Sequence, residues 1–372
     1  MNQKIGYEQS YFKIDYSIQG LVRLNLNENL VMPLDVIRRA MRYCERNADS
    51  RLYPSESTEG EMWELRSLLG KYCDCKPSLV ELGCGSDQLI DLLCRLKLRK
   101  KDALVTVKPT FSMYALRARS CGARVVQVPV DYSSSEHDPF PLRTEKLVKA
   151  CSANKAKLLF LASPNNPTGI QYNLPQLKEI LESIPSSTLL VLDEAYVEYC
   201  EYTAKFLLRK YPNLTILRTF SKAFGLASHR LGYIVSYNQE LKKEFGSGIQ
   251  LPFPISGLAA PLALELLRQI KVILYYAKKT VHLRENLIRS LQDFQIRNFR
   301  VVERSDANFV LVESPFSEKI ARTLLTQYRI GVKFLPKMIA DKSFLRITVG
   351  TNSMNSRLLE ALGGILPRLR SI

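Results

Sequence analysis

Histidine is scarce in this chain, and its eight cysteines are not spaced as metal ligands. The three histidines (His137, His229 and His282) lie far apart in the sequence. The closest cysteine pair, Cys73 and Cys75, lacks the spacing of a zinc-binding CxxC pair. The common zinc sites are therefore excluded, and we expect no metal in the functional site.

Long apolar runs and separable modules are missing as well. No segment approaches the ~20 apolar residues that a membrane-spanning helix needs. No Pro/Gly-rich linker, low-complexity tract or internal repeat divides the chain. The first six residues (MNQKIG) lack the apolar core of a signal peptide. We therefore expect a cytoplasmic protein with reduced thiols and no membrane partner.

Negative charge is also in short supply. The 372 residues include 53 Lys and Arg against 36 Asp and Glu, a net charge of +17. Such a surface can attract nucleic acid. The cations are dispersed, however, apart from short clusters such as residues 97–101 (KLRKK), and no nucleic-acid-binding motif accompanies them. We expect a basic, phosphate-handling enzyme without a nucleic-acid partner.

Short apolar runs alternate with amphipathic stretches between residues 80 and 235. The predicted strands are 103–107, 124–130, 157–162, 188–192 and 215–218, and the predicted helices are 88–97, 175–183 and 204–210. Continuous apolar strands separated by helices indicate a mostly parallel sheet covered on both faces, a three-layer α/β/α sandwich in the α/β class. Ligands of such sheets bind at the carboxyl ends of the strands.

The remainder predicts a smaller α+β domain. Residues 256–293 read as one or two helices, followed by strands at 299–302, 308–312 and 345–349 and helices at 318–328 and 353–362. We assign residues 46–260 to the large domain. Residues 1–45 and 261–372 then form the small domain, which leaves a cleft for substrate between the two.

Lys222 has the surroundings expected of a reactive amine. Residues 219–225 (TFSKAFG) place it among small and hydroxyl-bearing side chains, and Arg230 follows. Such an amine can form a Schiff base with a phosphorylated aldehyde, whose phosphate Ser221 and Arg230 can hold. Most lysines are only solvated charges. The case here is strengthened by Asp193, which ends an upstream apolar run, although an isolated Asp at that place commonly caps a turn.

Nine segments, spread over nearly the whole chain, carry a resemblance to a known family. They are 24–29 (LNLNEN), 53–54 (YP), 83–87 (GCGSD), 109–114 (PTFSMY), 163–169 (SPNNPTG), 188–196 (TLLVLDEAY), 219–225 (TFSKAFG), 230–233 (RLGY) and 344–351 (FLRITVGT). In these segments, which stand in the family's order, the chain resembles the fold-type-I aminotransferases that use pyridoxal 5′-phosphate (PLP), and within them the histidinol-phosphate aminotransferase family.

The resemblance implies a role for each residue around the cofactor ring. Lys222 would form the Schiff base and later move a proton, with Asp193 and Tyr196 as its catalytic partners. Asp193 would keep the pyridine nitrogen protonated. Tyr196 and Asn166 would donate to the phenolic oxygen of the ring, and Phe111 would stack on the ring.

The resemblance also implies a phosphate-binding turn that opens a helix, where backbone N–H groups attract an anion. The residues expected around the phosphate are Gly85, Ser86, Asp87, Thr219, Ser221 and Arg230. Tyr53 would reach the same phosphate from a partner subunit, which makes a homodimer the functional unit.

For the substrate, the resemblance implies that Arg346 binds its anionic group, while Asn27 and Glu28 lie at the mouth of the site. We expect Glu28 to contact the distal group of the substrate, although a purely structural Asn-Glu loop is almost as good an interpretation. The family's N-terminal tyrosine has Tyr16 as its nearest match.

One departure from the family concerns phosphate recognition. The family carries a second arginine in a strand that here reads GVKFL (residues 331–335), and Leu335 occupies its place. Lys333 or Lys337 could substitute. Since Lys333 and Leu335 share a face of a strand, Lys333 is the better candidate.

The leading functional hypothesis is amino transfer between histidinol phosphate and 2-oxoglutarate by a ping-pong mechanism, a step of histidine biosynthesis. Leu335 favours an alternative, an aminotransferase for aromatic or other α-amino acids. A phosphothreonine-decarboxylase-like lyase and a non-catalytic binding protein of the same fold are further alternatives. Retention of Lys222 and Asp193 speaks against the last one.

Overall fold

The computed structural model describes residues 14–133, 135, 137–250 and 252–369. The strands are β1 (Val22–Leu24), β2 (Val80–Gly83), β3 (Ala103–Lys108), β4 (Arg124–Pro129), β5 (Leu158–Ala162), β6 (Leu189–Asp193), β7 (Leu214–Thr219), β8 (Gly232–Ser236), β9 (Arg300–Val301), β10 (Phe309–Glu313), β11 (Ile330–Ile339) and β12 (Lys342–Thr348). The α-helices are α1 (Leu34–Asn47), α2 (Glu61–Cys73), α3 (Gly85–Lys97), α4 (Ser112–Ser120), α5 (Thr144–Ala153), α6 (Leu174–Ser183), α7 (Gln239–Glu244), α8 (Ala259–Arg268), α9 (Ile270–Gln292), α10 (Ser317–Tyr328) and α11 (Asn352–Ile365).

Within the described residues, the larger sheet has seven strands in the order β2-β8-β7-β6-β5-β3-β4. Only β8 runs against the others, since it pairs antiparallel with both of its neighbours while the remaining pairs are parallel. The carboxyl ends of the other six strands therefore lie at one edge of the sheet. That edge is where the reactive side chains should meet.

The central strands are apolar because helices cover both faces of the sheet. Along β5, Leu159 and Leu161 join the core on the side of α5 and α6, whereas Leu158 and Phe160 join the core on the side of α3 and α4. All five residues of the strand are buried. This arrangement confirms the predicted three-layer α/β/α sandwich.

A second, five-stranded sheet has the order β1-β11-β12-β10-β9, with β1 parallel to β11 and the other pairs antiparallel. Its faces are divided between two cores. Leu345 and Ile347 pack in a small-domain core with α10 and α11, whereas Phe344 and Phe309 pack against the large domain. Residues of β12 with even numbers therefore face the large domain.

The boundaries expected at residues 45 and 260 stay a prediction. β1 lies in the smaller sheet, while the buried face of α1 and nearly all of α8 pack in the larger core. The long helix α9 contributes to both cores, with Ile273 and Ala277 in the larger one and Leu287 and Leu291 in the smaller one. Residues 1–13 of the predicted N-terminal arm lie outside the described residues.

One predicted helix was wrong. Residues 204–210 form only a 3₁₀ turn at Ala204–Leu207. Two backbone N–H groups at its start bond to side chains, that of Ala204 to Glu194 and that of Lys205 to Thr203. In the part of the chain that the structure describes, no helix combines the length and apolar character needed to cross a bilayer.

Candidate active site

A pocket of about 140 Å³ that opens to solvent lies at the carboxyl ends of β5, β6 and β7. Ten of the predicted site residues line it, together with Tyr114 and three further apolar residues. The lining residues are Ser86, Asp87, Phe111, Tyr114, Ala162, Pro164, Asn166, Asp193, Ala195, Tyr196, Thr219, Ser221, Lys222 and Arg230, of which the apolar ones are Ala162, Pro164, Ala195 and Phe111. Residues distant in sequence meet here because parallel strands end at a common edge.

Lys222 lies in the loop that follows β7, and buried neighbours fix this loop. Phe220, Ala223 and Phe224 have no exposed surface. The Lys222 Nζ donates to the carbonyl oxygen of Leu26 at 3.1 Å and lies 5.6 Å from the centroid of the Tyr196 ring. The amine therefore sits at the pocket wall, beneath the segment that follows β1.

Asp193 ends β6 and is 5% exposed. Its Oδ2 accepts a hydrogen bond from the Tyr114 hydroxyl at 2.6 Å, and its Oδ1 accepts one from the N–H of Ala195 at 3.0 Å. Burial raises the pKa of the Asp193 carboxyl to about 6, although these two hydrogen bonds oppose the rise; Asp87 adds to it and Lys222 counters it. The carboxylate is thus poised to gain from a cationic partner in the pocket.

Tyr114 was missed as a site residue by the sequence reasoning, which used it only as part of a matching segment. It is fully buried on α4, one helical turn after Phe111. The available signal was this spacing, because residues three apart on a helix share a face. Nothing in the sequence alone indicated that its hydroxyl would reach the end of β6.

The turn before α3 has the geometry of an anion cradle. Gly85 has φ of +75°, and a Cβ added there would lie 2.6 Å from Arg230 Nη2. A Cβ on Gly232 would lie 2.6 Å from the backbone N of Ser86. Both glycines are therefore required for the close approach of these segments. The Arg230 guanidinium therefore lies beside the start of α3, where the first backbone N–H groups have no partner within the helix, and this combination suits a phosphate.

Arg230 is held in this cradle by polar contacts on two sides. Its Nη2 lies 3.0 Å from Asp87 Oδ2, and its Nη1 donates to Ser221 Oγ at 3.4 Å. Thr219 Oγ1 in turn accepts from the backbone N of Ser221 at 3.1 Å. The cradle, the buried Asp193 carboxylate and the Lys222 amine together fit a phosphorylated pyridine aldehyde, so the residues present suit PLP.

The hydroxyl of Tyr196 accepts a hydrogen bond from a neighbouring side chain. Asn27 Nδ2 donates to the Tyr196 hydroxyl oxygen at 3.0 Å, which leaves the Tyr196 proton available to the pocket. Asn27 itself is buried and held by Thr348, whose Oγ1 accepts from the Asn27 N–H at 2.9 Å. The predicted substrate residue Asn27 thus supports a pocket residue directly.

Arg346 connects this pocket to the smaller sheet. Its Nη1 donates to Asn166 Oδ1 and its Nη2 to the carbonyl oxygen of Asn25 at 2.8 Å. The guanidinium lies 5.5 Å from the centroid of the Phe309 ring, and the residue is 5% exposed. Because the Asn166 oxygen is engaged, its NH₂ group is the part of that amide available to the pocket.

Glu28 and Tyr16 do not line the pocket and lie in a polar cluster with Arg23 and Asn25. Glu28 Oε1 pairs with Arg23 Nη2 at 2.6 Å, while Glu28 Oε2 is buried without a hydrogen-bond partner. The Arg23 guanidinium lies 4.6 Å from the centroid of the Tyr16 ring, and the Tyr16 hydroxyl accepts from Asn25 Nδ2 at 2.7 Å. Since Asn25 also contacts Arg346, this cluster continues outward from the pocket.

Lys333 lies directly opposite Arg346 in the register of β11 and β12, so the two residues share the face toward the large domain. Leu335, the residue in place of the expected arginine, lies opposite Phe344 and packs against the larger core. An apolar side chain at this position is therefore used in packing between the domains.

Tyr53 does not line the pocket of its own chain. It is 77% exposed, and its ring stacks on Phe253 with centroids 4.4 Å apart and an interplanar angle of 16°.

In the described residues, no group of three or more His, Cys, Asp or Glu side chains is placed to hold a metal ion.

Comparison with known proteins gives consistent matches over nearly the whole chain. Residues 19–362 match the family described as aminotransferase class I and II. The chain is 32% identical to histidinol-phosphate aminotransferase 2 of Archaeoglobus fulgidus over 96% of both chains. It is 35% identical to histidinol-phosphate aminotransferase of Methanosarcina mazei over 92% of this chain and 88% of the relative.

A solved structure extends the similarity to three dimensions. Histidinol-phosphate aminotransferase from Sinorhizobium meliloti, in complex with pyridoxal-5′-phosphate, superposes with a TM-score of 0.82 at 25% identity. The match covers 97% of this chain and 93% of that one.

Proposed function

The chain belongs to the class I and II aminotransferases, and from that premise we propose that it transfers an amino group between histidinol phosphate and 2-oxoglutarate in histidine biosynthesis. Relatives that carry the histidinol-phosphate aminotransferase name are 32% and 35% identical over nine-tenths of this chain. The observation that carries the proposal is that an amine, a buried carboxylate and an anion cradle lie in the same pocket.

PLP is the cofactor, and when bound it supplies an aldehyde that takes up the amino group and a ring that stabilises negative charge at the neighbouring carbon. In our proposal, Lys222 Nζ removes and returns the proton at the substrate Cα. Asp193 holds a proton on the pyridine nitrogen. Tyr196 and Asn166 donate to the phenolic oxygen of the ring, and Phe111 packs on its face.

The cofactor phosphate is assigned to the cradle at the start of α3. Gly85, Ser86 and Asp87 offer the backbone N–H groups of the turn, and Ser221 and Thr219 complete the shell. Arg230 supplies the positive charge, held in place by its contacts with Asp87 and Ser221. Two substrates use this pocket in succession, which gives ping-pong kinetics.

The substrate phosphate is assigned to Arg346 and Lys333. These residues oppose each other on the side of the smaller sheet that faces the large domain. A phosphate dianion is well matched by one guanidinium and one ammonium group, so Lys333 compensates for the arginine that Leu335 replaces.

The distal ring of the substrate is assigned to Glu28. One Glu28 oxygen is paired with Arg23, and the other is buried without a donor. An imidazole N–H would satisfy that oxygen. Tyr16 lies beside Arg23 and would bound the same region.

A second copy of this chain is proposed as the partner, in a homodimer. Tyr53 and Leu52 are 77% and 67% exposed, and Phe253 and Leu258 are exposed as well. Aromatic and aliphatic side chains of this size are costly to leave in water, and a symmetric contact between copies would cover them. Tyr53 would then reach the cofactor phosphate of the partner. The cytoplasmic location stays a prediction of the sequence.

Single-turnover spectroscopy of the PLP-loaded protein tests the proposed reaction. Histidinol phosphate, glutamate, phenylalanine and tyrosine are added separately, and loss of the cofactor absorbance near 400–430 nm is followed. We expect rapid loss with histidinol phosphate and with glutamate and little change with the aromatic amino acids. Rapid loss with an aromatic acid and none with histidinol phosphate would instead support the aromatic aminotransferase.

A further inference from the structure

Tyr114 contacts three other residues around the pocket, although the sequence predicted no role for it. Its ring is fully buried and stacks on Phe160, with centroids 4.7 Å apart and an interplanar angle of 13°. Its other side meets Phe111 edge-on at 5.7 Å and 83°. Its hydroxyl donates to Asp193 Oδ2 at 2.6 Å. The ring is thus fixed by packing, and the hydroxyl can reach only a small region around Asp193.

Asp193 has few other groups to keep it ionised. The N–H of Ala195 is its second donor. Lys222 favours the charged form from the loop after β7, whereas Asp87 on α3 opposes it. Tyr196 also faces this region. The adjacent Glu194 points away and pairs with Arg218 at 2.7 Å, so it takes no part.

We propose that Tyr114 is a positioning residue: its hydroxyl keeps Asp193 ionised and aimed at the cofactor's pyridine nitrogen, and its ring supports Phe111 against the cofactor face. This inference rests on the proposed function, because it concerns the same cofactor. The proposed role of Tyr114 requires its hydroxyl group as well as the volume of its ring.

The electrostatics of the site agree with this assignment. Burial and the nearby Asp193 carboxylate hold the pKa of the Tyr114 hydroxyl well above its ordinary range, so the hydroxyl remains a donor at any physiological pH. Burial already raises the pKa of Asp193 to about 6, and the Tyr114 hydrogen bond lowers it. Without this bond the carboxyl would take up a proton closer to neutrality and lose its attraction for a protonated pyridine.

The test is PLP binding to the cofactor-free protein, measured by equilibrium dialysis between pH 5 and 8.5, for wild type and Tyr114→Phe. A hydrogen bond to a charged group accounts for roughly a ten-fold or larger change in affinity. We expect Tyr114→Phe to bind PLP at least about ten-fold more weakly at pH 7. We also expect the midpoint of its pH dependence to lie about one pH unit higher than in wild type.

Tyr233→Phe is the matched control. Tyr233 is also fully buried, and its hydroxyl contacts the Cys73 sulfur at 3.8 Å and not Asp193. The same atom is deleted from an equally buried ring, so a general packing effect would appear in both variants. We expect Tyr233→Phe to keep the wild-type pH midpoint.

A double-variant comparison separates positioning from a structural role. In an Asp193→Asn background, Tyr114→Phe should change PLP affinity by less than about two-fold, because the charge that the hydroxyl serves is absent. An equal loss in both backgrounds, or an unchanged midpoint in Tyr114→Phe, would overturn the inference. Failure of the wild-type protein to bind PLP at all would overturn the proposed function itself.

Discussion

A buried carboxylate without a bound cation weakens the fold that contains it, and Asp193 is such a residue in the cofactor-free chain. Its pKa of about 6 lies above the ordinary 3.8. The neutral form therefore stabilises the fold below about pH 4, and this contribution is lost as the pH rises through about 6. The site gives up stability at neutral pH so that a charge is available for the pyridine nitrogen.

Replacing Asp193 with Asn should therefore stabilise the cofactor-free protein at neutral pH. We expect a gain of about 2–3 kcal/mol in the free energy of unfolding at pH 7.5, shrinking toward zero near pH 4. Urea denaturation at several pH values measures it. Asp293→Asn, which removes an exposed carboxyl at the end of α9, controls for the change in net charge. A gain independent of pH would contradict the argument.

Lys333→Met should impair recognition of a phosphorylated substrate more than that of a carboxylate substrate. A charged hydrogen bond is worth roughly 1.5–3 kcal/mol, so we expect KM for histidinol phosphate to rise about ten- to a hundred-fold with kcat little changed. KM for glutamate should change much less. Lys337→Met, on the same strand but exposed, is the matched control. Equal losses for both substrates would exclude a specific role at the phosphate.

The pocket residues that sequence reasoning found all follow apolar strands or glycine turns, where ligands of parallel sheets bind. Lys222, Asp193 and Arg230 belong to this group, and the structure brings them into one pocket. Tyr114 could not be found in the same way. Its contact with Asp193 joins a helix to a strand 79 residues away, and only the three-dimensional packing determines that distance.

A buried ion pair beneath the site joins the ends of β6 and β7. Arg218 Nη2 lies 2.7 Å from Glu194 Oε2, and the two side chains are only 3% and 2% exposed. Glu194 also accepts from Thr203 and from the N–H of Ala204. Since Asp193 and Thr219 are the neighbours of this pair in sequence, the pair fixes the spacing between two pocket-lining residues.

Arg218→Met should therefore be strongly destabilising, because it leaves the Glu194 charge buried with its main partner removed. We expect a loss of about 3–5 kcal/mol in the free energy of unfolding, measured by urea denaturation. Arg209→Met is the matched control, since the Arg209–Asp74 pair is 66% exposed on both sides and should contribute at most about 1 kcal/mol. Similar losses in the two variants would show that burial of the pair is unimportant.

At the scale of elements, most strands with uninterrupted apolar runs were predicted, although β8, which is buried throughout, was not. β5 and β6 lie within about one residue of their predicted limits, because burial on both faces demands apolar residues throughout. The short strand β2 contains Glu81, which breaks such a run, and it was not predicted. The predicted helix at 204–210 is only the 3₁₀ turn Ala204–Leu207, because its backbone hydrogen bonds join residues three apart, such as the Leu208 N–H and the Lys205 carbonyl.

Within the described residues, the core that contains α5, α6 and α8 and the small-domain core are joined through α9 and through the side of the smaller sheet that faces the large domain. Arg346 and Asn27 link the small-domain side to Asn166 and Tyr196 of the large domain. Tyr53 differs from the predicted residues that line the pocket. It is exposed and lies outside its own pocket, so its proposed role depends on a second copy of the chain.

Mixing two inactive variants tests that dependence at the level of the assembly. Lys222→Ala removes the reactive amine, and Tyr53→Ala removes the side chain proposed to reach the partner's phosphate. In a mixed dimer, the chain with Tyr53→Ala keeps its own Lys222 and receives an intact Tyr53 from its partner. Random reassociation of equal amounts should restore about a quarter of the wild-type sites. We therefore expect activity well above the sum of the two variants, with a dimer mass by light scattering. Activity no greater than that sum, in a preparation shown to contain mixed dimers, would place Tyr53 outside the partner's site.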